Sequence, residues 1–115
     1  MSNGTHIIRR FLDAWHARDR AAAEELLSED FTFTSPFDDR IGKRAYFERC
    51  WPPGHRIRDF QIETLCANGT EAFVRYECAI ETGPRFRNLD YFRIEDGKIK
   101  EVEVYFGSLP EENAA

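Results

Sequence analysis

The spacing of hydrophobic residues along the chain changes near residue 27. Before that point apolar side chains recur at intervals of three and four, which is the spacing of one helical face. The residues on this stripe are Ile7, Ile8, Phe11, Ala14 and Trp15. Thr5 and Asp19 are suitable N-caps, so the pattern predicts a first helix from near Thr5 and a second helix over residues 20–27.

The pattern then alternates with period two, as it does in a half-buried strand. Residues 31–35 are predicted to form a short strand, which Pro36 ends. The polar segment 38–42, with two Asp and a Gly, is predicted to be a loop. Residues 43–51 predict a third short helix that stops at the Pro-Pro-Gly sequence following it.

The rest of the chain is typical of an antiparallel meander. Alternating runs predict four strands, over residues 57–66, 70–81, 85–95 and 98–106. Asn68–Gly69 and Asp96–Gly97 are strong hairpin signals, and residues 82–84 predict another turn. The strand residues predicted to face inward are Phe60, Ile62, Thr64, Ala72, Val74, Tyr76, Cys78, Ile80, Phe86, Asn88, Asp90, Phe92, Ile94, Val102, Val104 and Phe106.

Helices followed by strands predict an α+β fold in which three N-terminal helices pack on a curved, mostly antiparallel sheet. Such a sheet cannot close completely on three short helices, so a small-molecule pocket is expected in the gap. The 115 residues are predicted to form a single domain over 1–115, because two parts of so short a chain could not each bury a stable core. We expect an ordered core over about 5–107 and a frayed tail over 108–115.

Composition and charge narrow the classes of partner. The formal charge of −5 and the pI near 5.2 disfavour a protein that binds nucleic acid or an anionic membrane surface, since both need a basic face. No run approaches the ~20 apolar residues of a membrane span, and the polar N-terminus lacks the apolar segment of a signal peptide. We therefore expect a cytoplasmic protein with neither nucleic acid nor membrane as a partner.

Three cysteines, Cys50, Cys66 and Cys78, are an odd number and lack the spacing of metal ligands. We interpret them as reduced, mostly buried thiols of a cytoplasmic protein. The three histidines do not cluster with them in the sequence, so no metal site is predicted and no cofactor is expected.

Four segments in order over nearly the whole chain carry a family resemblance. They are the helix phrase Phe11–Asp19, the helix end, acidic turn and strand Leu26–Phe33, the helix start Ile41–Ala45, and the hairpin Asp90–Ile99, which continues to Val104–Gly107. As a set they resemble the cone-shaped nuclear transport factor 2-like superfamily, closest in style to SnoaL-like polyketide cyclases and ketosteroid isomerases. The resemblance implies a homodimer through the outer sheet face. It selects no single function, because this fold hosts isomerases, cyclases, hydrolases and binding modules.

The resemblance to ketosteroid isomerases implies three catalytic groups, of which one is present. Ser35 stands before Pro36, where those enzymes have a general-base Asp, and Phe11 aligns with their oxyanion-binding Tyr. Asp90 matches their second oxyanion-binding acid. Steroid isomerisation by that mechanism is therefore not expected.

Asp90 is the candidate catalytic residue on the strand pattern as well. A carboxyl group on an apolar face costs free energy unless it is paired or neutral, and a dry pocket raises its pKa, which suits a general acid or base. The alternative is an Asp that pairs with an arginine or a backbone amide. Asn88 and Tyr76 would orient a carbonyl or hydroxyl group of the ligand, or else complete hydrogen bonds of the core.

The remaining candidate ligand-binding residues are aromatic side chains and the end of the first strand. They are Trp15, Phe33, Ser35, Tyr46, Trp51 and Phe92. Aromatic walls suit a flat apolar ligand, although the same side chains would also serve as plain core.

Glu101 and Glu103 alternate with Val102 and Val104, so we expect both on the outer sheet face unless a β-bulge reverses the phase.

Two hypotheses of function follow. The first is a SnoaL-like enzyme that performs cofactor-independent acid–base chemistry, of isomerase, cyclase or hydrolase type, on a small apolar ligand with a carbonyl group. The second is a non-catalytic ligand-binding or dimerisation module of the same fold. An ionisable Asp90 on an open pocket favours the first, and a pocket filled by Trp15, Phe33 and Trp51 favours the second.

Overall fold

The computed structural model describes residues 3–51, 57–80 and 85–107, which form three helices and six strands. The helices are α1 (Asn3–Ala17), α2 (Arg20–Leu26) and α3 (Lys43–Arg49). The strands are β1 (Leu27–Ser35), β2 (Asp38–Gly42), β3 (Ile57–Asn68), β4 (Glu71–Ile80), β5 (Arg85–Glu95) and β6 (Lys98–Phe106). The predicted helix stop over 52–54, the turn over 82–84 and the tail over 108–115 lie outside the described residues.

The six strands form one curved sheet in the order β2-β1-β6-β5-β4-β3. β1 and β6 run parallel, with Phe33 opposite Val102, and the other neighbouring pairs of this sheet are antiparallel. β3 to β6 follow one another both in the chain and in the sheet, as the predicted meander requires. The structure therefore confirms the predicted class, with three helices on a mixed, mostly antiparallel sheet that does not close.

α1 lies against the sheet with its apolar stripe inward. Ile8 and Phe11 on this stripe are at most 4% exposed. Asp19 Oδ1 accepts a hydrogen bond from Ala22 N over 3.2 Å, and Asp19 N donates to Ala14 O over 2.8 Å. One residue therefore connects the end of α1 to the start of α2, because its side chain caps the first turn of the second helix.

The core lies between the helices and the concave face of the sheet. Its largest fully buried side chains are Phe31, Phe92, Ile8, Leu27, Ile99, Val74 and Cys78. A large apolar side chain contributes roughly 1.5–3 kcal/mol by leaving water completely. Phe11 and Phe92 meet edge to face with ring centroids 6.1 Å apart, so this contact holds α1 over the middle of β5.

The segment 38–42, which was predicted to be a loop, is a strand. β2 pairs with β1 at the edge of the sheet, where Ile41 lies opposite Phe33 and Asp38 lies opposite Ser35. All five residues of β2 are half-buried or exposed. The loop prediction was wrong because a polar edge strand lacks the apolar alternation by which a strand is recognised.

A β-bulge in β3 changes which of its residues face the core. The register shifts between Ile62 and Thr64, which makes Glu63 the extra residue. Beyond the bulge Leu65 and Ala67 pack against the core, whereas Thr64 is exposed. The prediction that Thr64 faces inward was therefore wrong, because one inserted residue exchanges the two faces of a strand.

The outer face of the sheet carries charged and aromatic side chains. Arg93 pairs with Glu101 over 3.5 Å, and the Tyr105 hydroxyl donates to Glu103 Oε1 over 2.8 Å. Val102, between the two glutamates, is 4% exposed and faces the core. Both glutamates therefore lie on the outer face, as predicted from the alternation.

Asp19→Ala is expected to lower the free energy of unfolding by about 1 kcal/mol, because it removes the side-chain acceptor at the first turn of α2. For a domain of this size the loss corresponds to about 4 °C in Tm. Thermal unfolding followed by circular dichroism measures it. Asp19→Asn keeps an oxygen acceptor and is expected to remain close to wild type; an equal loss in both variants would contradict the capping role.

Candidate functional site

A cavity of about 170 Å³ lies between α1, α3 and the concave face of the sheet. Its wall is mainly apolar, with Phe33, Val102 and Val104 among the lining residues, and it carries the carboxyl group of Asp90. A dry apolar cavity of about 150 Å³ is large enough to hold benzene. The volume therefore suits a ligand, or part of a ligand, with one ring.

The register of three strands places Asp90 on the wall of this cavity. Asp90 of β5 lies opposite Val74 of β4 on one side and Val104 of β6 on the other. Because side chains alternate along a strand, Asn88 and Phe92 point to the same face. The inward orientation that the sequence predicted for Asp90 is therefore present, between two apolar neighbours.

The Asp90 carboxyl group is buried and incompletely paired. The residue is 7% exposed, and its Oδ1 atom has no hydrogen-bond partner among the residues that the structure describes. Burial raises the pKa of Asp90 to about 8, although a hydrogen bond with Tyr76 acts in the opposite direction. Near neutral pH the group is mainly the uncharged acid, which can donate a hydrogen bond into the cavity.

Asn88 and Tyr76 lie opposite each other on β5 and β4 and are linked by a buried hydrogen bond. Asn88 Nδ2 donates to the Tyr76 hydroxyl over 3.2 Å. A hydroxyl group has one proton, so Tyr76 can accept from Asn88 and still donate to Asp90. Burial and the nearby Asp90 raise the pKa of Tyr76 well above its usual value, which keeps this proton in place.

Tyr46 and Cys50 reach the cavity from α3 and its C-terminal end. Burial raises the pKa of Tyr46 far above its usual value, and Cys50 and Asp90 add to the rise. Burial and the neighbouring Asp38 raise the pKa of Cys50 to about 11, so its thiol is protonated and a poor nucleophile at neutral pH. Asp38 itself is ion-paired with Arg49 over 2.6 Å, which is a structural role.

The structure brings five of the predicted site residues together and places the others elsewhere. The five on the cavity wall are Trp15, Phe33, Tyr46, Tyr76 and Asp90. Phe92 has no exposed surface, and Trp51 packs on Phe47 with ring centroids 5.2 Å apart, so both contribute to the core. Ser35 accepts a hydrogen bond from Phe37 N over 3.1 Å, in the turn between β1 and β2. Asn88 is behind Tyr76 rather than on this wall.

Six further residues line the cavity without having been predicted as site residues. They are Phe11, Leu12, Cys50, Phe60, Val102 and Val104. The helical stripe and the strand alternation had placed Phe11, Phe60 and both valines on inward faces. Periodicity shows that a side chain faces inward. It does not show whether that side chain borders a cavity or is packed in the core.

The three cysteines are free thiols of different exposure. Cys50 is half-buried, Cys66 is exposed and Cys78 is buried. The expectation of mostly buried thiols fails for Cys66, which lies beyond the bulge of β3.

In the described ranges no three His, Cys, Asp or Glu side chains are grouped to hold a metal ion, and no helix there is long and apolar enough to cross a membrane.

Many solved structures resemble this chain in fold. A ketosteroid isomerase-like protein from Kribbella flavida has a TM-score of 0.81 at 20% identity, over 92% of this chain and 78% of that one. An LEH-like epoxide hydrolase from M. tuberculosis has a TM-score of 0.76 at 21% identity, over 91% and 83%. A polyketide cyclase-like protein from a Silicibacter species has a TM-score of 0.71 at 22% identity, over 89% and 87%. At such identities the likeness shows the fold alone.

The sequence itself gives a more direct assignment. No curated protein matches it. The family model for the SnoaL-like domain, however, matches residues 8–102, from the first helix to the middle of β6. The chain therefore belongs to the SnoaL-like domain family of the nuclear transport factor 2-like superfamily, a fold whose members include isomerases, cyclases and hydrolases.

Proposed function

We propose that this protein is an enzyme that performs cofactor-independent acid–base chemistry on a small, apolar ligand with a carbonyl group. The observation that carries the proposal is the buried Asp90 carboxyl on the wall of an apolar cavity, with Oδ1 lacking a partner among the described residues. A neutral carboxylic acid in a water-poor site donates a hydrogen bond to the carbonyl oxygen of a ligand. That bond becomes stronger as negative charge develops on the oxygen, so it lowers the barrier to enolisation.

The polar neighbours of Asp90 affect the stability of both its protonated and its ionised form. When Asp90 transfers its proton to the ligand oxygen, the new carboxylate is stabilised by the hydrogen bond with Tyr76 and accepts the proton that leaves the α-carbon, so that the enol forms and the acid is restored. Asn88 donates to Tyr76 and so directs the tyrosine proton toward Asp90. Because the pKa of Asp90 is about 8, both protonation states are accessible near neutral pH and the same group can return the proton.

A non-catalytic ligand-binding module is the second candidate. It is favoured by the absence of two further groups: Ser35 and Phe11 stand where ketosteroid isomerases have a base and a tyrosine. Among the described lining residues, Asp90 supplies the one carboxyl group. A module of this kind would bind the same apolar ligand and use Asp90 to orient it.

We also propose that the protein acts in the cytoplasm as a homodimer that pairs through the outer sheet face. The family resemblance implies this arrangement, and the thiols of the three cysteines suit a reducing compartment. Phe73 and Leu89 expose 40% and 38% of their surface on this face. Beside them Arg75 pairs with Glu63 over 3.3 Å, so apolar area is bordered by charge, as in many interfaces.

The buried carboxyl group is expected to make stability depend on pH. Its folded-state pKa of about 8 is above its ordinary value of 3.8, so its contribution to stability is complete below pH 3.8 and is lost as the pH rises through 8. Asp90→Asn should therefore gain stability relative to wild type as the pH rises from 4 to 8, by up to about 1.4 kcal/mol per pH unit. Urea unfolding at a series of pH values measures this slope.

The matched control is Asp96→Asn, the same substitution at an exposed residue in the turn between β5 and β6. It should keep the pH dependence of wild type. Equal slopes for all three proteins would contradict the raised pKa of Asp90.

Tyr76→Phe is expected to raise the pKa of Asp90 further, because it removes the hydrogen bond that stabilises the carboxylate. Carbon-13 NMR of the aspartate carboxyl groups measures this pKa, with Asp90→Asn to assign the signal. Tyr91→Phe is the control, since the Tyr91 hydroxyl donates to Glu71 over 2.8 Å on the outer face. A lower pKa in Tyr76→Phe, or an equal change in both variants, would show that Tyr76 does not stabilise the Asp90 carboxylate.

Cyclic ketones of one ring test the chemistry directly. Wild type should accelerate the exchange of the α-hydrogens of cyclohexanone and 2-cyclohexenone with D2O, and Asp90→Asn should lower the rate about 10²- to 10⁴-fold, the usual contribution of one acid–base group. Proton NMR follows the exchange, with Asp96→Asn as the control. Unchanged exchange in Asp90→Asn would exclude Asp90 as the acid, and saturable binding without exchange in wild type would support the non-catalytic module.

A further inference from the structure

A second cavity, of about 320 Å³, lies on the concave side of β5 and β6. Its described lining residues are Phe86, Asn88, Phe106 and Gly107, so the described part of its wall is uncharged and mainly aromatic. Phe37, which is 78% exposed, packs on Phe106 with ring centroids 5.6 Å apart. Aromatic surface therefore continues from this cavity to the rim of the sheet.

The strand register shows that the two cavities occupy neighbouring rows of the sheet. Asp90 and Val104 are opposite each other, and both line the first cavity. Asn88 and Phe106 are opposite each other in the next inward-facing row, and both line the second. Rows of one face are about 7 Å apart along a strand, so the cavities adjoin at the step from Asp90 to Asn88.

The hydrogen bond between Asn88 and Tyr76 lies at this step. Tyr76 lines the first cavity and Asn88 lines the second, and 3.2 Å separates Asn88 Nδ2 from the Tyr76 hydroxyl. The hydrogen-bonded side chains of Tyr76 and Asn88 therefore lie where the cavities meet, one row of the sheet from Asp90. A ligand that spans both cavities would place its polar group there and apolar parts on either side.

From Asp90 toward Phe92, the opposite direction along β5, the described side chains leave no space on the concave face. Phe92, the next inward-facing residue after Asp90, has no exposed surface and packs against Phe11. Ile94, one row further, is 9% exposed and belongs to the same core. A ligand too large for the first cavity can therefore extend along β5 toward Phe106 and not toward Phe92.

We infer that the second cavity is a subsite for an apolar extension of the ligand whose carbonyl group meets Asp90. The inference rests on the proposed function and narrows the substrate class: a compact, carbonyl-bearing ring with an uncharged aliphatic or aromatic tail. The cavity volumes support this placement of ring and tail. The first cavity, of about 170 Å³, holds about one ring, and the second adds about 320 Å³ for the tail.

The backbone at the end of β6 contributes to the shape of this subsite. Gly107 N donates to Arg87 O over 2.7 Å, which holds the chain against β5 after the last strand residue. A Cβ atom at position 107 would lie 2.5 Å from that oxygen, so a side chain there would force the two strands apart. The close approach of β6 to β5 therefore depends on glycine, and no side chain at this position enters the subsite.

A series of phenols tests the subsite, because a phenol has one ring and a hydroxyl group that can hydrogen-bond with Asp90. Isothermal titration calorimetry of phenol and of its 4-ethyl, 4-butyl and 4-hexyl derivatives gives the gain in affinity per methylene. In wild type each methylene should lower Kd about fourfold, which corresponds to ~0.8 kcal/mol per buried CH2 group. In Phe106→Glu the ratio of hexylphenol affinity to phenol affinity should fall toward one, because the new carboxylate faces the tail.

The matched control is Tyr105→Glu, since Tyr105 is 54% exposed, Phe106 is 55% exposed, and the two neighbours lie on opposite faces of β6. It should keep the wild-type ratio. Phe106→Ser is the second variant if circular dichroism shows that Phe106→Glu does not fold. A wild-type ratio near one would overturn the subsite, and so would a high ratio that persists in both Phe106 variants.

The same titrations separate the subsite from the proposed chemistry. If phenol binding is weakened by Asp90→Asn but does not increase with tail length, the acid site stands and the subsite is overturned. If phenol binds wild type and Asp90→Asn equally, and affinity increases with tail length in both but not in Phe106→Glu, the subsite stands without the acid role of Asp90.

Discussion

The register of β5 against its two neighbours decides where the polar side chains of this protein lie. Because residues alternate between faces, a slip of one position would bring Leu89 and Tyr91 inward and move Asp90 to the outer face. The hairpin between β5 and β6 helps to prevent such a slip: Asp96 and Gly97 have φ of 55° and 75°, as a tight two-residue turn requires. The candidate site is therefore set by the same contacts that hold the sheet together.

Burial of Asp90 links the stability of the fold to its chemistry. An ionised carboxylate without a full set of partners in an apolar environment costs several kcal/mol, so the group keeps its proton instead. Tyr76 provides one hydrogen bond, whereas Oδ1 has no partner among the described residues. The closely packed row beside it, with Phe92 fully buried, offsets the remaining cost of desolvation. The incomplete pairing that reduces stability is the feature that leaves the acid available to a ligand.

The sequence pattern correctly predicted which face of the sheet a residue occupies where the alternation is unbroken. It failed where one extra residue interrupts the alternation. The pairing of β5 with β6 keeps its register from Asn88 to Arg93 and shifts between Arg93 and Ile94, so Asn88 and Asp90 could be assigned to the concave face. The bulge at Glu63 reverses the faces of β3. Its one trace in the sequence is the change of apolar residues from Phe60 and Ile62 to the odd-numbered Leu65, which a strict period of two overlooks, and Thr64 was misplaced for that reason. The division of inward aromatic residues into cavity wall and core could not be predicted either, because it depends on the distance between helix and sheet, which is a property of the tertiary structure.

Phe11 shows how the loss of a polar group can favour acid chemistry at this site. By the family resemblance it stands where ketosteroid isomerases have a tyrosine hydroxyl, and here its ring lines the cavity and packs on Phe92. A tyrosine at this place would add a polar donor to the cavity that Asp90 also lines, and polar surroundings favour the charged form of a carboxyl group and so lower its pKa. The phenyl ring excludes water without offering a donor, so the proton of Asp90 is retained near neutral pH. The site is thus consistent with an acid that gives its proton to the ligand itself and depends on Tyr76, across the sheet, to stabilise the carboxylate that forms.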